Sequence, residues 1–272
     1  MPISAAVNES VKLARRYGHG ASAGFVNGLL RNVSKTEIEY PSDKTEYLSV
    51  KYSFPMWLCE KWIDEFGYDF TEKMIESFGM EKRLNIRPNR LKITADELCK
   101  KFNDNGINAE VYDGYIVSDG FDISADSLYN DGYYTIQDSA AMQTAKVLAP
   151  CEGDTVIDMC AAPGGKTCTI AAGMAQSGMV YAFDLAAHRV KLIQDNVKRL
   201  GLQNVTASQG DAAEFREEYA GADRVLCDVP CSGIGVLRHK PEVKEKSPED
   251  LAQLPQLQLA ILENGARYEI GR

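Results

Sequence analysis

The chain has 272 residues, 44% hydrophobic and 25% charged, and its 30 Lys and Arg stand against 39 Asp and Glu for a net charge of -9 and a pI near 5.0. That length and mixture suit a globular protein of more than one domain and exclude a low-complexity or disordered chain. No apolar run could span a bilayer and the start lacks a signal-peptide core, so a cytoplasmic protein is expected.

Seven cysteines (Cys59, Cys99, Cys151, Cys160, Cys168, Cys227, Cys231) show no CxxC spacing, which predicts free thiols rather than a disulfide framework or a metal site. The acidic balance argues mildly against nucleic acid, because phosphate contacts need clustered cations. Two stretches run the other way. Lys12, Arg15, Arg16, Arg31 and Lys35 face Glu9 alone in the first 35 residues, and Arg238, His239, Lys240, Lys244 and Lys246 crowd a second region. Each is either an RNA contact or a solvated charged face.

Residues 3–34 have helical periodicity with a break at Gly18–Gly20, and two helices so short cannot bury a core of their own. A polar connection over 34–43 leads to helices near 55–66 and 70–78, with Trp57, Leu58, Trp62, Ile63 and Phe66 as one packing face. From Lys82 the texture becomes a small α+β module. It comprises a strand near 83–86, a turn at Pro88-Asn89, a helix over 94–103 capped by Thr94, and short strands through Val111 and 115–117. Residues 133–147 carry a strand into a helix.

From Asp154 strands alternate with helices: strands at 155–158, 179–184, 205–208 and 224–228, helices near 166–175, 187–200 and 212–219. That order predicts an α/β, doubly wound, mainly parallel sheet. A last helix is expected over 247–268, with Leu251, Leu254, Leu257, Leu259, Ile261 and Leu262 as its apolar side and Pro255 as an interruption.

The stretch TVIDMCAAPGGKT, 155–167, is a strand, a small-residue turn and a helix start, the place where open α/β sheets bind nucleotide-like ligands. Cys160, Ala161, Ala162, Pro163, Gly164, Gly165 and Lys166 form the candidate cradle. Gly165-Lys166-Thr167 matches the end of a phosphate-binding loop, but Cys160 stands where such a loop needs Gly, and no GxGxxG occurs. A nucleoside cofactor without a pyrophosphate fits, and S-adenosylmethionine is the expected one. Asp158, Asp184, Asp211 and Asp228 each end or closely follow a strand; Asp184 is placed for ribose hydroxyls and Asp211 for an adenine amine.

Cys231, after Pro230 in a loop at that edge, is the candidate nucleophile. Carbon 5 of a pyrimidine accepts a methyl group once a thiolate has added at carbon 6, and Asp228 could hold ring nitrogen 3 and the exocyclic amine of cytosine. Cys227, on the strand, reads as a buried apolar residue.

DMCAAPGGKT (158–167), DVPCSG (228–233) and GVLR (235–238) resemble the RNA 5-methylcytosine methyltransferases, and YTIQD (134–138) and GFVNGLLRN (24–32) extend the likeness over nearly the whole chain. The resemblance implies a Rossmann-like S-adenosylmethionine-dependent methyltransferase fold over 141–272. A helical linker and RNA-binding α+β module would occupy 41–140, and a remnant of a NusB-like RNA-binding domain 1–40. It implies cofactor contacts at 160–166, Asp184, Asp211 and Asp228, RNA contacts at Arg31, Arg238 and Lys240, and a cytosine of 16S ribosomal RNA as substrate of a monomer. In that family the attacking thiol comes from a later Thr-Cys motif while the Pro-Cys thiol assists product release. With no such motif after Cys231, the expectation is a chain truncated at both ends, with little or no turnover.

Overall fold

The computed structural model describes residues 2–37, 39–79, 83–238 and 240–268, with the chain in two compact units, Met1–Glu76 and Ser77–Arg272. His239, in the second basic stretch, lies outside the described residues. In the first unit α1 (Ile3–Tyr17) and α2 (Ser22–Val33) pack as a hairpin that buries no residue, leaving Leu13, Tyr17 and Phe25 more than half exposed.

A helix the periodicity did not reveal, α3 (Lys44–Tyr52), follows. Asp43 starts it by accepting from the amides of Thr45 and Glu46, which satisfies two of the donors a helix start leaves open. In α4 (Met56–Phe66), Leu58, Cys59 and Trp62 are buried and the Phe54 ring lies 5.6 Å from Trp62. Phe66, expected on the same packing face, is 45% exposed instead and its ring meets Phe70 of α5 (Tyr68–Ser77).

The second unit holds two sheets. The first is antiparallel, in the order β2 (Ala109–Tyr112), β3 (Tyr115–Ser118), β1 (Leu84–Pro88), β4 (Tyr134–Ile136). Pro88 lies within the strand, opposite Tyr134, rather than in the expected turn. Helix α6 (Ala95–Asp104) begins with a capping box between Thr94 and Glu97 and sinks Leu98 and Phe102 among Ile86, Ile116 and Tyr134. A short α7 (Ser127–Asn130), capped by Asp126, precedes β4.

Helix α8 (Ser139–Leu148) leads into a four-stranded parallel sheet of order β7 (Val205–Gln209), β6 (Met179–Asp184), β5 (Thr155–Asp158), β8 (Arg224–Leu226). Its strands alternate with α9 (Gly165–Gly173) and α10 (Ala187–Leu200). Successive strand residues point to opposite faces. Val156, Val180 and Leu226 therefore join Ile170, Met174 and Leu200 in one core, while Ile157 and Phe183 join Ile261 and Tyr268 in another. Both faces are covered, as a parallel sheet requires.

Two expectations fail near the end of the chain. The helix expected over 212–219 is a turn followed by a single 3-10 turn, Glu217–Tyr219, because α12 (Leu254–Tyr268) captures its backbone. Asn264 donates to the Ala212 carbonyl and the Tyr268 hydroxyl accepts from the Arg216 amide. The single long helix is also divided, into α11 (Pro248–Leu251) and α12, with Pro255 in the first turn of α12 where its missing N–H costs nothing. The buried face of α12 is Ile261, Asn264, Gly265 and Tyr268, while Leu257, Leu259 and Leu262 are 41–57% exposed.

Candidate cofactor and catalytic site

The carboxyl edge of the parallel sheet is built by backbone hydrogen bonds before any side chain acts. After β5 the Met159 amide donates to the Leu226 carbonyl and the Ala161 amide to that of Phe183, so the chain is pinned to both neighbouring strands as it leaves the sheet. The Gly164 amide then closes the turn on the Ala161 carbonyl. Gly164 has φ +97°, and a Cβ there would sit 3.1 Å from Ile193 Cα, so turn and α10 approach as only glycine permits.

Asp158 is 1% exposed and lies beneath the turn. Oδ2 accepts from Thr167 Oγ1 at 2.7 Å, while Oδ1 is buried without a hydrogen-bond partner. Burial pushes its pKa up to about 6, against the Thr167 hydrogen bond, and the nearby Asp228 charge adds to the rise. A carboxyl raised above its unfolded pKa contributes stability that is present at acid pH and lost as pH rises through the folded value. The chain should therefore lose stability between about pH 4 and pH 6 through this group, and Asp158→Asn should flatten that window in thermal melts. An unchanged pH profile in the variant would remove Asp158 as its cause.

A cavity of about 330 Å3 opens above the edge, lined by Cys160, Ala162, Asp184, Asp211, Asp228 and Cys231, with Leu185 and Ile261 among its apolar residues. Asp184 is 3% exposed; Oδ1 accepts from the Ala186 amide at 3.1 Å and Oδ2 lies 3.3 Å from Arg189 Nη2. Asp211 is exposed and accepts from the Ala213 amide. Asp228 meets Lys166 Nζ at 2.5 Å, so the lysine that a phosphate loop would aim at a triphosphate is held by a carboxylate. Ala161 and Gly164 are buried in the turn wall, Pro163 is exposed, and Gly165 begins α9. The 65% exposed Leu185 offers an apolar cover for a purine, and Asp184 and Asp211 offer acceptors on either side, so the cavity suits a nucleoside.

The thiols differ in kind. Burial pushes Cys160 up to about 12, assisted by the charges of Asp158 and Asp184, and burial takes Cys168 to about 11, so both stay protonated at neutral pH. The Thr167-Cys168 pair is thus core packing on α9, not an attacking group. Cys231 is exposed on the loop that Gln258 ties to α12 through the Pro230 carbonyl. Cys227 is half-buried at the end of β8, with Sγ 3.5 Å from Met159 Sδ. Iodoacetamide at pH near 8 should label Cys231 well before Cys160 and Cys168. Equal labelling of Cys160 and Cys231, read by mass spectrometry, would contradict this ordering.

Three of the four strand-end acids share the cavity with Cys231; Asp158 supports it from below. Arg31 lies exposed on α2 in the first unit, Lys240 is exposed and Arg238 half-buried in the second. Arg189, Leu185 and Gln258 were not singled out from the sequence, although a cation five residues after a strand-end acid is a readable signal for the first.

This geometry has close relatives. Residues 145–268 match the family described as 16S rRNA methyltransferase RsmB/F, residues 1–35 match the NusB family, and residues 54–123 match a ferredoxin-like domain of RsmF/B-like methyltransferases. Residues 145–268 are therefore similar to the RsmB/F methyltransferases. It is 36% identical over 273 residues to the probable ribosomal RNA small subunit methyltransferase B of Bacillus subtilis, covering 96% of this chain and 61% of that protein. It is 32% identical over 242 residues to a human 28S rRNA (cytosine(4447)-C(5))-methyltransferase, covering 86% of this chain and 30% of that one. Among solved structures, PH0851 superposes with a TM-score of 0.84 at 29% identity over 97% of this chain and 61% of its own length. A methyltransferase homologue from Pyrococcus horikoshii does so with 0.72 at 25% identity, over 84% of this chain and 74% of its own. The chain spans about three fifths of the bacterial relatives it matches. Its parallel sheet has the Rossmann-like fold of S-adenosylmethionine-dependent methyltransferases.

Proposed function

We propose that the protein uses S-adenosylmethionine to methylate carbon 5 of a cytosine in small-subunit ribosomal RNA. The observation that carries this reading is the single cavity holding Asp184, Asp211, Asp228 and the exposed Cys231 at the carboxyl edge of the sheet. The cofactor, when bound, supplies an electrophilic methyl group. Asp184 would accept from the ribose hydroxyls, Asp211 from the adenine amine, and the turn 160–166 would face the amino-acid end, with the α9 N-terminus favouring its carboxylate.

The remaining roles belong to the loop after β8. Asp228, oriented by Lys166, accepts from the exocyclic amine of the base. Cys231, as thiolate, takes the attacking role that the resemblance gives to a later Thr-Cys thiol: it forms a bond from sulfur to carbon 6, the ring electrons move to make carbon 5 nucleophilic, and a proton taken up from solvent at ring nitrogen 3 balances the charge. Once carbon 5 carries the methyl group, a solvent base takes its proton, the electrons return to the ring and expel the thiolate, and ring nitrogen 3 gives back the proton it gained. Leu257 and Ile261 add an apolar side to the cavity. Arg31 in the first unit and, separately, Arg238 and Lys240 in the second would contact RNA, with residues 1–40 and 41–140 as RNA-binding parts, residues 141–272 as the cofactor-binding part, and the chain acting as a monomer. Among the described residues no helix is long and apolar enough to cross a membrane.

RNA carrying 5-fluorocytosine cannot lose a proton from carbon 5, so it traps the sulfur adduct. Incubation with cofactor should yield an adduct that maps to Cys231 and vanishes in Cys231→Ala. A folded, cofactor-binding chain that forms the adduct elsewhere, or not at all, would contradict the assignment of that thiol.

A further inference from the structure

A second cavity, of about 290 Å3, lies within the Ser77–Arg272 unit between the β2–β3 hairpin and helices α8 and α9, and shares no lining residue with the carboxyl-edge cavity. Tyr115, Met142, Pro150 and Ala172 give it an apolar wall. Its charges do not cancel. Arg87, on β1, donates from Nε to Gln137 at 2.7 Å while its Nη2 is buried without a hydrogen-bond partner. Burial, with the like charges of Arg199 and Arg90, pushes its pKa down to about 10, so the guanidinium stays charged at neutral pH without a compensating carboxylate. Arg90 lines the same cavity, is exposed, and makes no ion pair among the described residues. The carboxylate at the cavity, Asp113, is committed to Lys146 at 2.6 Å and to Gln143 at 3.1 Å, which close the hairpin onto α8.

Arg87 and Arg90 both line the cavity and form no ion pair among the described residues, and two guanidinium groups beside an apolar wall suit an anion that carries an apolar body. A desolvated charge without a counter-ion is costly, and an oxyanion able to accept several N–H bonds relieves that cost. The volume is near the lower end of ligand sites, roughly 300 Å3 and upward, more than a bare phosphate occupies. We propose that this cavity binds a nucleoside monophosphate group, its phosphate on Arg87 and Arg90 and its base against the wall of Met142, Pro150 and Ala172. The group could be a free nucleotide or one nucleotide of an RNA strand; the recognition chemistry is shared. The site depends on neither the cofactor nor the methyl transfer proposed above.

Two variants test it without touching the carboxyl edge. Arg90→Glu reverses an exposed charge, and Gly173→Leu fills the cavity from α9, where a Cβ would meet nothing within 4 Å. The probes are adenosine 5′-monophosphate, by calorimetry, and a fluorescein-labelled single-stranded RNA dodecamer, by anisotropy. At least one probe should bind the full chain and lose affinity by about tenfold or more in both variants, as expected when a charge-assisted contact is reversed or its space is filled. Loss for the mononucleotide alone identifies a free nucleotide, and loss for RNA identifies a strand. Affinity for S-adenosylhomocysteine should stay unchanged, which separates this site from the cofactor reading. If Gly173→Leu melts early, Arg90→Glu alone decides. Failure of both probes to bind the wild-type chain, or unchanged affinity of both for the deciding variants, overturns the proposal.

Discussion

Asp184→Ala is expected to weaken S-adenosylhomocysteine binding by about a hundredfold or more, since a bond to a charged group contributes roughly 1.5–3 kcal/mol and two ribose hydroxyls would each donate one. The carboxylate is 3% exposed at the end of β6 and already held by the Ala186 amide and by Arg189, so it is placed before any ligand arrives. Little reorganisation is then needed on binding. Asp184→Asn keeps an oxygen for the Ala186 amide but loses the charge, and should fall between wild type and Asp184→Ala in calorimetric titration. Affinity within threefold of wild type in Asp184→Ala would place the ribose elsewhere.

Gly132→Ala should be among the most destabilising single substitutions in the second unit, at about 3 kcal/mol or more, because backbone strain and overpacking act together. Gly132 has φ +72°, and a Cβ there would stand 1.9 Å from the Arg199 carbonyl oxygen and 2.7 Å from its carbon. Neither neighbour is free to move. Asn89 Nδ2 donates both to the Gly132 carbonyl and to that of Leu200, and Arg199 Nη1 donates to the carbonyls of Tyr129 and Tyr134. This knot fastens the antiparallel sheet to the last turn of α10, which also backs the cofactor turn through Ile193. Gly153→Ala is the control, since its φ is +87° but a Cβ would meet nothing within 4 Å. The difference between the two melting temperatures isolates the steric part; a Gly132→Ala chain that melts with the Gly153→Ala chain would show that the knot yields.

The parallel sheet was legible because its signals are local. Strands β5 and β6 are short apolar runs closed by an acid, and α10 ends where Gly201 supplies the left-handed cap, so the expected span 187–200 coincides with Ala187–Leu200. The cofactor turn was legible because a run of small residues separates two different periodicities. What could not be read depends on residues far apart in sequence. Tyr268 and Asn264 turn 212–219 away from helix, Gly265 presses α12 so close to Met159 and Cys227 that its buried face is not the leucine-rich one, and Lys166 finds Asp228 across 62 residues. Asp158 illustrates a subtler limit: its position at a strand end was evident, but not that the fold would bury it as a support for the turn. The hairpin cavity has no motif at all, since its two arginines come from β1 and the turn after it while its apolar wall comes from β3, α8 and α9, and only folding brings wall and cations together.

A crystal structure of the chain with S-adenosylhomocysteine tests the central claim most directly. The account predicts the adenosine between Asp184 and Asp211, covered by Leu185, with the sulfur facing the loop of Asp228 and Cys231 and the amino-acid end toward the turn 160–166. A nucleoside bound outside that cavity, or bound with its sulfur turned away from Cys231, would contradict it.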